Sequence, residues 1–121
     1  MVDQSKIDEQ QLSEILKAAS DPTRRSILTT LVQEGATRVT DLANHYEMSL
    51  NAVSKHIKVL ESAGLVTRRT VGRTHLIEAN LDPISLIDSW FKNLRSIWDL
   101  RLDKLEKLLT EEIEEATNNH V

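Results

Sequence analysis

Cysteine is missing from the sequence, which removes disulfide frameworks, thiolate metal sites and cysteine redox switches at once. Glycine occurs only three times and proline twice. No phosphate-cradling glycine loop, nucleophile elbow or pair of catalytic acids is present, so nothing points to an enzyme. Long apolar runs are missing too. Residues 1–17 are polar and of mixed charge, unlike a secretory signal, and no later stretch approaches the roughly 18 apolar residues of a membrane span. A cytoplasmic protein with no membrane partner is expected. Aromatic residues make up 3% of the chain, and Trp90, Phe91 and Trp98 all fall in its last third. What is there is ordinary for a globular protein: hydrophobic residues at 40% and charged ones at 28% of 121 residues, enough for a single domain over residues 1–121 with one core.

The formal net charge of −4 taken alone disfavours a nucleic-acid partner, but its distribution reverses that reading. Residues 1–20 carry two basic and four acidic side chains, residues 21–80 eight and six, and residues 81–121 five and nine. A middle of +2 therefore lies between flanks of −2 and −4. From Leu50 to His75, Lys55, Lys58, Arg68, Arg69 and Arg73 stand against Glu61 alone. Phosphates respond to such a local patch, because charge is screened over a Debye length of roughly 8–10 Å.

Apolar spacing predicts a first helix over about Asp8–Ala19, carrying Leu12, Ile15, Leu16 and Ala19. Asp21-Pro22 restarts the chain as N-cap and first helical residue of a second helix, with Ile27, Leu28, Leu31 and Val32 inward and Gly35 as its stop. A short third helix is expected from about Thr40 to Tyr46, burying Val39, Leu42 and Ala43. After the Glu47-Met48-Ser49 turn, a fourth helix capped by Ser49 runs to Ala63-Gly64. The period then changes: Leu65–Arg69 and His75–Ala79 predict a β-hairpin with Gly72 at its tip. Past Asp82-Pro83 a long helix extends over about 83–115. The expected fold is mainly α with a small β-hairpin (α+β), in the order α-α-α-α-β-β-α. This is a winged helix-turn-helix, with the helix-turn-helix over about 40–63 and the wing over about 65–79.

At 100° per residue, Val53, Ile57 and Leu60 fall on one side of the fourth helix and Asn51, Ser54, Lys55 and Lys58 on the other. The second face suits a DNA major groove: Asn51 can pair with adenine, Ser54 with any base, and the lysines with guanine or phosphate. Taken alone it would equally be a solvated face; its position after a helix and a tight turn favours the reader. Arg68, Arg69 and Arg73 on or beside the hairpin would touch flanking backbone or minor groove. Such arginines can also merely protect an edge strand. With Arg38, Thr40 and Ser49 around them, these residues form the candidate DNA-contacting set.

The runs Asp21-Pro22-Thr23-Arg24-Arg25, Met48-Ser49 with Ala52-Val53-Ser54-Lys55-His56-Ile57-Lys58-Val59-Leu60-Glu61, and Ala63-Gly64-Leu65-Val66 resemble the ArsR-type winged-helix transcriptional repressors. The resemblance covers about Leu12 to Leu109. It implies a homodimer that binds double-stranded DNA and represses its own operon until an inducer, a small molecule or a protein, loosens it. Leu50 and Asn51 depart from the Gln-Pro or Gln-Ser of many relatives, so no operator sequence carries over.

Many members of that family sense metals. Their thiolates would stand at Arg38 and Thr40 here, and the last helix has no histidine from Pro83 to Asn119. His45, His56, His75 and His120 are too scattered to form a ligand pair, so no metal and no cofactor is expected. His56 leans toward the apolar side of its helix, as a packed and hydrogen-bonded histidine would.

On the last helix, Ile87, Phe91, Leu94, Trp98, Leu102, Leu105 and Leu109 recur at steps near three and four, while Trp90, Ile97, Leu100 and Leu108 add apolar surface elsewhere. A helix apolar on more than one side needs covering twice, which predicts a partner subunit. The expected dimer contact is Leu12, Ile15, Trp90, Leu94, Trp98, Leu102, Leu105 and Leu109. The tryptophans could instead line an inducer pocket, although packing is the favoured role. The rival function is a winged helix used for protein contacts, which would not require the Lys55/Lys58/Arg68/Arg69/Arg73 cluster.

Overall fold

Asp21 and Pro22 split the N-terminal stretch into α1 (Gln4–Ala19) and α2 (Pro22–Glu34) in the computed structural model, which describes residues 4–118. The Asp21 carboxylate accepts from the Arg24 backbone N–H at 3.0 Å, satisfying one of the donors left over at the start of α2. Arg24 and Arg25 reach back in the other direction. The Arg24 guanidinium donates to the carbonyls of Ala18 (3.0 Å) and Lys17 (2.9 Å), and Arg25 to that of Ala19 (2.6 Å). These are the orphan carbonyls at the end of α1, so the Asp-Pro-Thr-Arg-Arg run stitches two helix ends together. Helix α1 begins at Gln4, one turn earlier than its apolar spacing suggests, because Gln4 and Asp8 support that turn by a 3.0 Å side-chain hydrogen bond that needs no burial.

The remaining elements are β1 (Thr37–Arg38), α3 (Val39–His45), α4 (Leu50–Ser62), β2 (Val66–Val71), β3 (Thr74–Ala79) and α5 (Ile84–Asn118). Strand β1 is absent from the expected order: two residues are too few to show a period, yet Thr37 pairs with Ile77 and Arg38 with Leu76, making a three-stranded antiparallel sheet in the order β1-β3-β2. The hairpin is tighter than expected, since Val71 pairs with Thr74 and only Gly72-Arg73 connect the strands.

Both helices of the helix-turn-helix end in the same way. In α4 the Gly64 N–H bonds the Glu61 carbonyl (2.9 Å) and the Leu65 N–H that of Leu60 (3.0 Å), a Schellman motif with Gly64 at φ 77°. In α3 the Glu47 N–H bonds Asn44 (3.3 Å) and the Met48 N–H bonds Ala43 (3.0 Å), the same motif with Glu47 in the left-handed region at φ 53°. Tyr46 closes the turn on the other side, its hydroxyl lying 3.0 Å from Ser26 Oγ and 2.8 Å from Thr30 Oγ1 of α2.

The chain forms two compact units, one ending at Ile87 and one beginning at Asp88. The first holds the core: Ile15 and Ala18 of α1, Ile27 and Leu31 of α2, Val39, Leu42 and Ala43 of α3, Val53, Ile57 and Leu60 of α4, then Ala63, Leu65, Val66 and Ile77. Leu28, Ile84, Leu86 and Ile87 pack around it. Val32, expected inward, is half exposed because the inward line of α2 runs through Ile27 and Leu31. Ile15, expected at a dimer contact, is enclosed by its own chain and has no surface to offer a partner. In the second unit, α5 from Asp88 on, every described residue is exposed.

Candidate nucleic-acid interface

Helix α4 is fixed at both ends and along its inner face, which leaves its outer face available. Ser49 caps it, its Oγ accepting from the Ala52 N–H at 3.2 Å. At the far end Asn80 ties β3 to the helix stop, its amide donating to the Gly64 carbonyl (3.1 Å) and its backbone N–H to that of Leu65 (2.8 Å). Midway, His56 is packed beside Asp21 with Nδ1 3.9 Å from the carboxylate, an ion-pair separation too long for the expected hydrogen bond. The Arg24 N–H bond holds the Asp21 carboxyl below the usual carboxylate range; desolvation opposes this, and the Arg24 and His56 charges assist. Of the outward residues, Asn51, Lys55 and Lys58 are exposed and Ser54 is half-buried.

Between the starts of α3 and α4 and the hairpin lies an open hollow of about 400 Å³, bordered among others by Arg38, Thr40, Leu50, Ser54, Arg68 and Arg73. Five of these six belong to the candidate DNA-contacting set, gathered from β1, α3, α4, β2 and the hairpin turn. Arg69 is not among them. Strand alternation puts Arg68 on the face of Val66 and Ile77, turned toward α4, and Arg69 on the opposite face beside Leu76.

Pairing sorts the cations further. Arg68 Nε donates to Glu61 Oε1 at 2.8 Å, bracing the wing against α4; Arg69 lies 4.0 Å from Glu78 and Arg38 3.6 Å from Asp41. With Arg24 and Arg25 spent on the carbonyls of α1, five of the eight basic residues between positions 21 and 80 are engaged within the chain. Among the described residues no acidic group pairs with Lys55, Lys58 or Arg73. Their charge is uncompensated, on the outer face of α4 and at the wing tip.

A family model described as a helix-turn-helix domain matches residues 19–69. The arsenical resistance operon repressor of Staphylococcus xylosus is 37% identical over an alignment covering 64% of this chain and 74% of the repressor. An ArsR-like transcriptional regulator from Rhodococcus sp. RHA1 superposes with a TM-score of 0.77 at 27% identity, covering 84% of this chain and 93% of the other. The chain belongs to the ArsR-type winged helix-turn-helix regulators. A homodimeric winged helix-turn-helix DNA-binding domain from Mycobacterium bovis, solved by NMR, has a TM-score of 0.61 at 26% identity, over 84% of this chain and 91% of that one.

Membership makes this ArsR-type chain a DNA-binding transcriptional regulator and not an enzyme. Among its described residues no three of His, Asp and Glu converge as metal ligands, and His120 lies outside them. No helix among them is long and apolar enough to cross a membrane. Two residues that shape this face escaped sequence reasoning. Tyr46 pins the turn, and Glu61 holds Arg68 through a pair seven residues apart that crosses from helix to strand, for which no sequence period exists.

Proposed function

We propose that this regulator represses its own operon by binding a palindromic operator as a homodimer, with release by an inducer, a small molecule or a protein, as the regulatory step. Asn51 and Ser54 read base edges, Lys55, Lys58 and Arg73 anchor on phosphates, and Arg38, Thr40, Ser49 and Arg68 shape the surface between helix and wing. Arg69 belongs to the far face and contributes only diffuse positive potential. The observation that carries this reading is the set of three uncompensated cations around a polar helix face beside a wing. Free positive charge near a reading helix supplies the electrostatic attraction to phosphates, and a purely protein-binding surface does not need it.

The dimer rests on α5. Phe91, Leu94, Trp98, Leu102, Leu105, Leu109 and Ile113 are all exposed, and their steps of three, four and four repeat every eleven residues. Such a repeat keeps an apolar stripe nearly parallel to the helix axis, suited to a long contact with a similar helix. Trp90 on the same helix, and Leu12 of α1 in the other unit, are further residues proposed for the subunit contact. The homodimeric Mycobacterium bovis domain supports a two-fold assembly. Charge weighs toward antiparallel pairing: with the two stripes fully overlapped, Glu111, Glu112, Glu114 and Glu115 would lie opposite residues 89–93, near Lys92 and Arg95 as well as Asp88, whereas parallel pairing would set acids against acids.

Electrophoretic shift on the DNA upstream of the protein's own gene, followed by footprinting, tests the reading. A protected imperfect palindrome is expected, with half-site centres about 10–10.5 base pairs or a multiple apart. Leu105→Glu with Leu109→Glu should sediment as a monomer and lose the shift. A wild-type monomer that binds as tightly as the dimer would sink the proposed assembly, and binding no tighter than to random DNA would sink the repressor reading.

A further inference from the structure

Leu50 is half exposed and lies outside the buried core. It begins the stripe Leu50-Val53-Ile57-Leu60 along the inner face of α4, where the last three are 0%, 0% and 1% exposed. Leu50 is 51% exposed, because the stripe runs past the edge of the core at this end. The helix start does not need it. The hydrophobic staple of a capped helix joins the residue before the cap to the fourth helical residue, and here those are Met48, which packs against the core, and Val53. Leu50 instead borders the hollow between α4 and the wing, an apolar side chain among Arg38, Thr40, Ser54 and Arg73.

That mixture identifies what would cover it. Base edges in the major groove present hydrogen-bonding groups throughout, with a single alkyl group, the C5 methyl of thymine. An apolar side chain at the first position of a recognition helix, one residue from Asn51 and one turn from Ser54, is placed for that methyl. We propose that Leu50 is a specificity-determining residue that packs on a thymine methyl in each half-site. This rests on the reading of α4 as the base-reading helix. It makes the dipeptide Leu50-Asn51 a thymine and adenine reader, with Leu50 taking the methyl and Asn51 the adenine edge.

The test uses the wild-type protein to select a duplex from a random-sequence library, then replaces each thymine of that duplex in turn with deoxyuridine, which lacks only the methyl. One thymine per half-site should lose about fourfold in affinity on replacement, the factor that one buried methyl-sized group is worth, and the symmetric pair about fifteenfold. Leu50→Ala should bind the thymine duplex more weakly and show no loss at that position. Because Leu50 is half exposed, the variant is expected to fold, and an unchanged circular dichroism melt confirms it. The inference is overturned if no replacement weakens the wild type, or if Leu50→Ala loses the same factor at the same thymine. Failure to select any sequence would instead overturn the proposed function and this inference with it.

Discussion

Lys58→Ala separates free cations from paired ones. The Lys58 ammonium is exposed on the outer face of α4, with no acidic partner among the described residues. If it neutralises a phosphate in each subunit, the variant dimer loses two contacts, and log K against log salt should become shallower by about 1.8. Between about 50 and 200 mM salt, the variant's affinity should then fall about 12-fold less than the wild type's. Arg73→Ala should behave the same way. Arg69→Ala is the control of equal charge, since Arg69 lies on the far side of the hairpin near Glu78, and its slope should stay close to wild type. Fluorescence anisotropy of a labelled operator over a salt series measures all three. An unchanged slope for Lys58→Ala, or an equal flattening by Arg69→Ala, would refute the assignment of anchors by pairing.

Three further outcomes concern the scaffold. Gly35 sits at φ 81°, ψ −159°, a region nearly closed to other residues, with open space where a Cβ would go. Gly35→Ala should therefore cost about 1–3 kcal/mol of backbone strain alone, read as a lower urea midpoint at unchanged m-value. Glu47→Gly should act in the opposite direction, because relieving about 1–2 kcal/mol of left-handed strain outweighs the roughly 0.5–1 kcal/mol of extra chain entropy that glycine brings; a lower midpoint would count against it. The Asp21 carboxyl titrates below its ordinary range, so its contribution is complete above about pH 4 and lost as pH falls through the lowered folded value. Asp21→Asn should accordingly fall short of the wild type at neutral pH and converge with it in acid, and a gap that persists at low pH would locate the effect elsewhere.

Much of the fold was legible because helical periods in this chain coincide with burial. Val53, Ile57 and Leu60 were separable from Asn51, Ser54, Lys55 and Lys58 by angle alone, and the structure encloses the first three and leaves the others at the surface. Asp21, Ser49 and Gly64 stand at the caps their chemistry predicts. What escaped was either too short to have a period, as with β1, or set by a partner distant in sequence. Val32 has the spacing of an inward residue, yet half of it stays exposed.

The candidate site was legible in residue type and illegible in charge state of engagement. Sequence supplies eight basic residues between positions 21 and 80, six of them in the candidate set, without showing which are paired. Folding makes them unequal, by spending Arg24 and Arg25 on helix-end carbonyls and by setting Arg38, Arg68 and Arg69 near carboxylates. Part of this was recoverable beforehand. Adjacent strand residues point to opposite faces, so Arg68 and Arg69 could never both turn toward α4. The rest was not, since the 2.8 Å bond from Arg68 to Glu61 exists only because β2 returns alongside the helix that precedes it. The same bond changes what Arg68 can do. An arginine already neutralised by a carboxylate adds little to phosphate attraction, but it holds the wing at a fixed distance from α4, so its loss should affect geometry before charge. Arg68→Ala is therefore expected to weaken operator binding while leaving the salt slope near wild type, the converse of Lys58→Ala. A slope that flattened by the full amount for two lost contacts would mean that Arg68 exchanges Glu61 for phosphate on the operator.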